Sequence, residues 1–282
     1  MPYHYSILEA SQIVGIPKET IRKWEERYDF LAPVRSANGY RRYTQQDVLL
    51  LLQVVSYLRQ GVPLRVATTK LTTQEPVNAR LTDYLFNMLI ASTVCDERRL
   101  YRLLKEAHIT LNLDDFMYRL VMPFLHQIGD NWQHHTIGPH QEKVASTVIR
   151  DFLACTRRSM TSDPEQPLVL GACLPGEAHE IAVQICLILA STRGYRNFMI
   201  GALPAKETIS LLIHHLRPAI VILSATTMAP FEHHLEEIHA LDQLAATLSE
   251  TDFYIGGNGA KQYLTNHTFE TLIYCDNPYH LF

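Results

Sequence analysis

Apolar residues recur at helical spacing in the first stretch of the chain, where Ile7, Leu8, Ala10, Ser11 and Val14 share one face. Gly15-Ile16-Pro17 then stops the predicted helix and turns the chain. A second helix is predicted from Pro17 through Ile21, Trp24 and Tyr28, with Arg22, Lys23 and Arg27 distributed around it. Together they form a helix-turn-helix pattern. Val34 to Tyr43 reads as a β-hairpin, because Asn38-Gly39 supplies the positive φ angles that a tight turn requires, and its arginines make it a basic wing. Thr44 to Gln60 is a strongly apolar helix with a capping threonine; Gly61 ends it, and Pro63 opens a short helix to about Leu71.

From residue 74 to 160 the pattern carries helical periodicity and no strand signal, with segments Leu81 to Cys95, Arg98 to Ala107, Asp114 to Ile128 and Pro139 to Arg158. A four-helix bundle is the simplest arrangement of these. Ser159 to Pro167 is polar and proline-punctuated, a linker. After it, short apolar runs at Leu168 to Cys173, Asn197 to Ile200, Ala219 to Leu223, Asp252 to Ile255 and Thr271 to Tyr274 alternate with helical segments. That alternation predicts a parallel sheet wrapped by helices. The predicted fold class is multidomain α and α/β: a winged helix-turn-helix over residues 1–73, a helical bundle over 74–160 and a Rossmann-like doubly wound sheet over 166–282. Ligands in such sheets sit at the carboxyl ends of the strands, which singles out the loops after Cys173, Leu223 and Ile255.

Composition narrows the function classes. The 282 residues are 47% hydrophobic and 19% charged, which excludes a disordered or low-complexity chain. The net charge of −4 hides an asymmetry: residues 1–75 hold ten Lys/Arg against seven Asp/Glu, or +3, and the remainder holds 15 against 22, or −7. A basic front end precedes an acidic body. The five cysteines are widely spaced without a Cys-x-x-Cys, so reduced and mostly buried thiols are expected rather than disulfides or a zinc site. The apolar run Ile181 to Ala190 is far shorter than the roughly 20 residues a membrane span needs, so a cytoplasmic protein without a membrane partner is expected.

On charge alone, Arg22, Lys23 and Arg27 on the second helix and Arg35, Arg41 and Arg42 on the wing could serve either as DNA contacts or as an ordinary solvated surface. Their order is more specific: Thr20-Ile21-Arg22-Lys23-Trp24-Glu25-Glu26-Arg27-Tyr28, then Leu31, Pro33 and Arg35, then Gly39-Tyr40-Arg41-Arg42-Tyr43 and Asp47-Val48. Over about the first 70 residues this resembles the DNA-binding domain of the MerR family of transcription regulators. The resemblance implies that Thr20, Arg22, Lys23, Arg27, Arg35, Tyr40, Arg41, Arg42 and Tyr43 face double-stranded operator DNA, bound by a dimer or tetramer of the chain.

In the last segment, Gly176-Glu177-Ala178-His179-Glu180 directly follows the first predicted strand. A carboxylate two residues before a histidine can hold one imidazole nitrogen while the other faces a metal. Ser224-Ala225-Thr226 and Gly256-Gly257-Asn258-Gly259 follow two further strands, where hydroxyls and bare backbone allow a large ligand to approach. In this order the elements resemble the base-off cobalamin-binding domain over residues 166–282. The resemblance implies His179 as lower ligand of cobalt, with Glu177, Ser224, Thr226, Gly256 and Gly257 around the cofactor. Ala182 stands where that motif has glycine. Trp132 to Ser146 in turn resembles the cap of the cobalamin-dependent MerR-type photoreceptor repressors of the CarH/LitR kind, which implies that Trp132 and Glu142 cover the upper face of adenosylcobalamin. Lys143 replaces that family's histidine, and an ammonium has no lone pair for cobalt at neutral pH, which leaves His140 as the alternative upper ligand. The histidine pairs at 134–135, 214–215 and 233–234 diverge by about 100° on a helix and are expected to be solvated or capping.

The chain is therefore expected to be a non-enzymatic, sequence-specific transcription regulator, a repressor controlled by adenosylcobalamin and light. A regulator of the same architecture without cobalamin or light dependence is the alternative. A corrinoid methyl carrier is a further one, disfavoured because methyltransferases and mutases need a separate substrate domain.

Overall fold

A computed structural model describes residues 4–28, 30–36, 39–59, 61–69, 76–276 and 281. The contacts divide the chain into two compact units, Met1–Ile149 and Arg150–Phe282, so the helix-turn-helix and bundle segments fall in one unit. The expected boundary near residue 73 and the turn residue Asn38 lie outside the described residues.

The first unit opens with α1 (Ile7–Val14), whose start is fixed by a capping box: Ser6 Oγ accepts from the Glu9 amide at 3.2 Å, and the Ser6 amide donates to Glu9 Oε2 at 2.7 Å. Gly15, with φ of 73°, terminates it in the left-handed region. α2 (Lys18–Arg27) buries Ile21 and Trp24 and turns its cations outward. The wing is a short antiparallel pair, β1 (Val34–Arg35) with β2 (Arg41–Arg42), and a bridge from Tyr5 to Tyr43 ties it to the chain start. α3 (Gln45–Arg59) and α4 (Leu64–Thr69) follow. The bundle segment contains α5 (Pro76–Thr93), α6 (Glu97–Thr110), α7 (Met122–Gln133) and α8 (Pro139–Ser159), and the division between units falls within α8. Periodicity predicts one helix from Asp114 to Ile128, whereas Asp115–Val121 is a π-helix that runs into α7. Pro123 accounts for it, since proline has no amide to donate and its ring crowds the carbonyl four residues back; a wider turn relieves both.

The second unit is a five-stranded sheet of order β4-β3-β5-β6-β7, every adjacent pair parallel. Its strands are β3 (Leu168–Cys173), β4 (Arg196–Gly201), β5 (Ile220–Ser224), β6 (Asp252–Gly256) and β7 (Ile273–Tyr274). Between them run α9 (Ile181–Thr192), α10 (Thr208–Leu216), α11 (Ala229–His233), α12 (Leu235–Thr247) and α13 (Asn258–Tyr263). Alternate strand residues feed two cores. Leu170, Ala172, Val221, Leu223, Phe253 and Ile255 pack with Ile213 and Leu241 on one face. Val169, Cys173, Ile220 and Ile222 pack with Val183 and Leu187 of α9 on the other. The spacing from Phe231 to Leu248 predicts one helix, but it is split at His234, whose backbone (φ −132°, ψ 25°) leaves the helical region.

Candidate functional site

In the first unit, Arg22, Lys23 and Arg27 are exposed along α2, and Arg35, Tyr40 and Arg42 are exposed on the wing. A groove of about 380 Å3 brings Arg22 of α2 together with Tyr40, Arg41 and Arg42 of the wing and Ser6 and Ile7 at the start of α1. Cations on a helix and an adjoining wing around one groove are suited to phosphate oxygens and base edges. Thr20 is half-buried on the first turns of α2. Two residues expected at this face are tied to Glu25. Arg41 Nε donates to both carboxylate oxygens of Glu25 at 2.8 and 2.9 Å. Tyr43 is wholly buried and its hydroxyl donates to Glu25 Oε2 at 3.2 Å. Burial first, and then the Glu25 charge, push the Tyr43 phenol well above its ordinary range. Glu25, not singled out by the sequence reading, is thus the brace that joins α2 to the wing.

Also in this unit, Trp132 ends α7 with 48% of its surface exposed. His140 and Lys143 are exposed and Glu142 is half-buried on the first turns of α8. The Gly138 amide donates to Gln141 Oε1 at 2.8 Å, which fixes where that helix begins. His134 caps the end of α7, its Nδ1 donating to the Asp130 carbonyl at 2.8 Å.

The second unit places its chemistry where the strand order reverses. β3 and β5 are neighbours there, and the loops that leave their carboxyl ends meet through Glu177 and Thr227. After β3, Leu174-Pro175-Gly176-Glu177 turns sharply: the Glu177 amide donates to the Leu174 carbonyl at 3.0 Å and Gly176 has φ of 81°, the proline-glycine signature of a type II turn. From the β4 side, the Leu203 amide donates to the Glu177 carbonyl at 2.9 Å. The turn drives the Glu177 side chain inward to zero exposure. There its Oε1 accepts from the His179 amide at 2.8 Å and from His179 Nδ1 at 2.6 Å. Its Oε2 accepts from the Thr227 amide at 2.8 Å and the Thr227 hydroxyl at 3.1 Å. Burial alone raises this carboxyl's pKa; the hydrogen bonds from His179 and Thr227 overcome it and hold the group at about 2. Glu177 is therefore a fixed anion near neutral pH.

That anion sets the histidine. With Nδ1–H donated to Glu177, the neutral imidazole carries its lone pair on Nε2, and the side chain is 62% exposed. A carboxylate that holds one imidazole nitrogen while the other stays free is the arrangement metal-binding histidines ordinarily use. Cys173 is no nucleophile: burial, then the charges of Glu177 and Glu180, push its thiol up to about 12. None of the five cysteines is in a disulfide, and the expectation of mostly buried thiols holds only at Cys173, since Cys155 is exposed and Cys95, Cys186 and Cys275 are half-buried.

The remaining expected residues are distributed differently. Ser224 is buried at the end of β5 and its carbonyl accepts from Leu174 at 2.9 Å. Thr226 is half-buried, and it is the neighbouring Thr227 that reaches Glu177. A Cβ at Gly257 would overlap the Ala225 carbonyl, and one at Gly256 would meet the Cys275 carbonyl at 2.9 Å. In this structure these glycines serve the approach of protein backbone to protein backbone. Ala182 is exposed on the first turn of α9. His234 lies against Gly176 and is held by Glu237 at 2.9 Å, so a second carboxylate-bound imidazole packs on the turn. Among the described residues no cluster of three or more metal-binding side chains occurs, and no helix is long and apolar enough to cross a membrane.

Fold and site define a winged helix-turn-helix chain that continues through a helical bundle into a Rossmann-like domain with a carboxylate-held histidine at its switch point. Residues 5–74 match the family described as MerR HTH family regulatory protein, and this segment is a MerR-type helix-turn-helix domain. The chain is 26% identical over 273 residues to the HTH-type transcriptional repressor CarH of Myxococcus xanthus, covering 92% of this chain and 90% of that protein. It is 25% identical over 262 residues to the repressor CarA of the same organism, covering 92% and 88%. Among solved structures, the monomethylamine corrinoid protein of Methanosarcina barkeri aligns with a TM-score of 0.55 at 13% identity, over 67% of this chain and 91% of that one, a likeness of fold.

Proposed function

We propose that this protein is a sequence-specific DNA-binding transcription regulator, a repressor, whose second unit binds cobalamin through His179. The observation that carries the reading is the buried Glu177 carboxylate, which fixes the imidazole with its lone pair on the exposed Nε2. The similarity to CarH and CarA over nine-tenths of the chain supports the regulatory part. Adenosylcobalamin is the proposed form, and when bound it supplies a light-labile cobalt–carbon bond. His179 would hold the cobalt; Glu177 and Thr227 keep that histidine in one tautomer and one orientation. The basic groove between α2 and the wing would take operator DNA, in a dimer or tetramer.

The test is an absorption spectrum of protein mixed with adenosylcobalamin in the dark, desalted, and recorded again after illumination. Retained corrinoid with a histidine-ligated spectrum that His179→Ala abolishes is the expected result. An unchanged spectrum and affinity in His179→Ala would overturn the ligand assignment.

A second reading, the same regulator without cobalamin, is favoured by one observation. The loops after β5 and β6 are closed on each other, since even a Cβ at Gly257 or Gly259 would overlap the carbonyls of Ala225 and Thr227. Colourless protein after desalting, with operator binding intact, would decide for it.

A further inference from the structure

The last turn of any helix leaves carbonyls that no amide of the helix can reach. In α1, the first helix of the DNA-reading arm, two of these are taken by side chains more than a hundred residues away. Gln127 Nε2 donates to the Val14 carbonyl, and Asn131 Nδ2 donates to the Gln12 carbonyl at 2.6 Å. Both amides lie on one face of α7, four residues apart, and Gln127 also donates to Asn131 Oδ1 at 2.9 Å, so they act as a pair. They are 2% and 1% exposed, buried polar groups that have exchanged water for this arm. Gly15 is the residue that lets them approach: a Cβ there would overlap Asn131 Oδ1 and Gln127 Nε2. Beside them Arg59, at the end of α3, pairs with Asp130 at 2.6 Å. Asn131 is pinned from the far side as well, its carbonyl accepting from the Thr136 amide and hydroxyl, both at 2.8 Å.

We propose that Gln127 and Asn131 form a latch that locks the helix-turn-helix arm to the bundle in one orientation, and so determines the half-site spacing that the oligomer accepts. The inference rests on the proposed reading of the chain as a DNA-binding regulator. An arm tethered loosely reaches half-sites at many separations, whereas an arm held rigidly on a symmetric body reaches one. Successive base pairs rotate by about 34° in a duplex with roughly 10.5 base pairs per turn, so a shift of two pairs points a half-site well away from a rigid arm. The latch makes no DNA contact, so it governs spacing and not recognition of the half-site.

The test uses the full-length protein and a duplex enriched by it from a randomised library, then rebuilt with its half-sites moved apart or together by one to five base pairs. Asn131→Asp keeps the shape and replaces the donor facing the Gln12 carbonyl by an acceptor. Wild type is expected to lose affinity at least about tenfold when the spacing changes by two pairs, and Asn131→Asp less than about threefold. Binding to a duplex with a single half-site should stay within about twofold of wild type. Arg59→Gln, which empties no buried space, should relax the spacing in the same direction and serves where Asn131→Asp fails to fold. A folded Asn131→Asp that keeps the wild-type spacing profile, or variants that lose single half-site binding to the same extent, overturn the latch. A wild type that enriches no sequence overturns the DNA-binding reading beneath it.

Discussion

Replacing Glu177 by glutamine keeps the side chain's shape but changes what it can accept. The carboxylate takes four hydrogen bonds, two on each oxygen, from His179 and Thr227. Glutamine offers one acceptor oxygen and turns an NH2 group toward two of those donors, so at least one buried backbone N–H is left unsatisfied, at a cost of about 1–3 kcal/mol. The charge adds its own contribution. A carboxyl held at about 2 against an ordinary value of 4.5 stabilises the fold, and at 1.36 kcal/mol per pKa unit this is about 3 kcal/mol. Because the folded pKa is the lower one, that stabilisation is complete above pH 4.5 and is lost as pH falls toward 2. Glu177→Gln should therefore weaken the second unit by about 2–4 kcal/mol at pH 7, and the gap from wild type should shrink between pH 4.5 and 2. Hydrogen exchange of the β3 and β5 amides reads the unit separately from the first, and a carbon-13 carboxyl titration reads the pKa itself. A Glu177 midpoint near 4.5, or exchange in the variant within about 0.5 kcal/mol of wild type, would refute the account, since surface changes commonly stay within that range.

Two further outcomes follow from the same structure. Glu25→Ala strips Arg41 of its carboxylate and leaves the buried Tyr43 hydroxyl without that acceptor, so thermal unfolding of the first unit should show a loss of about 1–3 kcal/mol, and operator affinity should fall with it; an unchanged melting temperature would contradict the bracing role. Gly257→Ala adds a methyl group where φ is 101° and the Ala225 carbonyl already stands, so it should destabilise the β6 end of the sheet by more than about 1 kcal/mol and lower cobalamin retention; wild-type retention and exchange there would show that the loops part easily.

Much of this molecule is legible along the chain because the signals are local. Proline, glycine and capping residues close to the affected backbone delimit α1, α2 and the turn into β1, and the alternation of apolar runs with helices announces the parallel sheet. Glu177 and His179 are two residues apart, so the pairing of carboxylate and imidazole is itself a local fact. The basic surface of α2 and the wing is likewise carried by short runs. What periodicity cannot carry is any choice between neighbours that only distant backbone distinguishes. Thr226 and Thr227 are chemically alike, and it is the meeting of the β3 and β5 loops that gives the second one to Glu177. His234 interrupts a run of helical spacing where its ring meets Gly176. Tyr43 reads as a DNA-facing residue from its type, yet the bridge to Tyr5 and the Glu25 carboxylate turn it inward, while the same carboxylate pins Arg41 at the groove. Nothing in the spacing of Gln127 and Asn131 marks them out; it is the end of α1, brought against α7, that gives them the carbonyls of Val14 and Gln12. Sequence determined most elements, the fold class and the local carboxylate–imidazole pair, since each depends on residues within a few positions. Tertiary structure decided which polar groups are buried together, because that depends on contacts between residues that the chain keeps far apart.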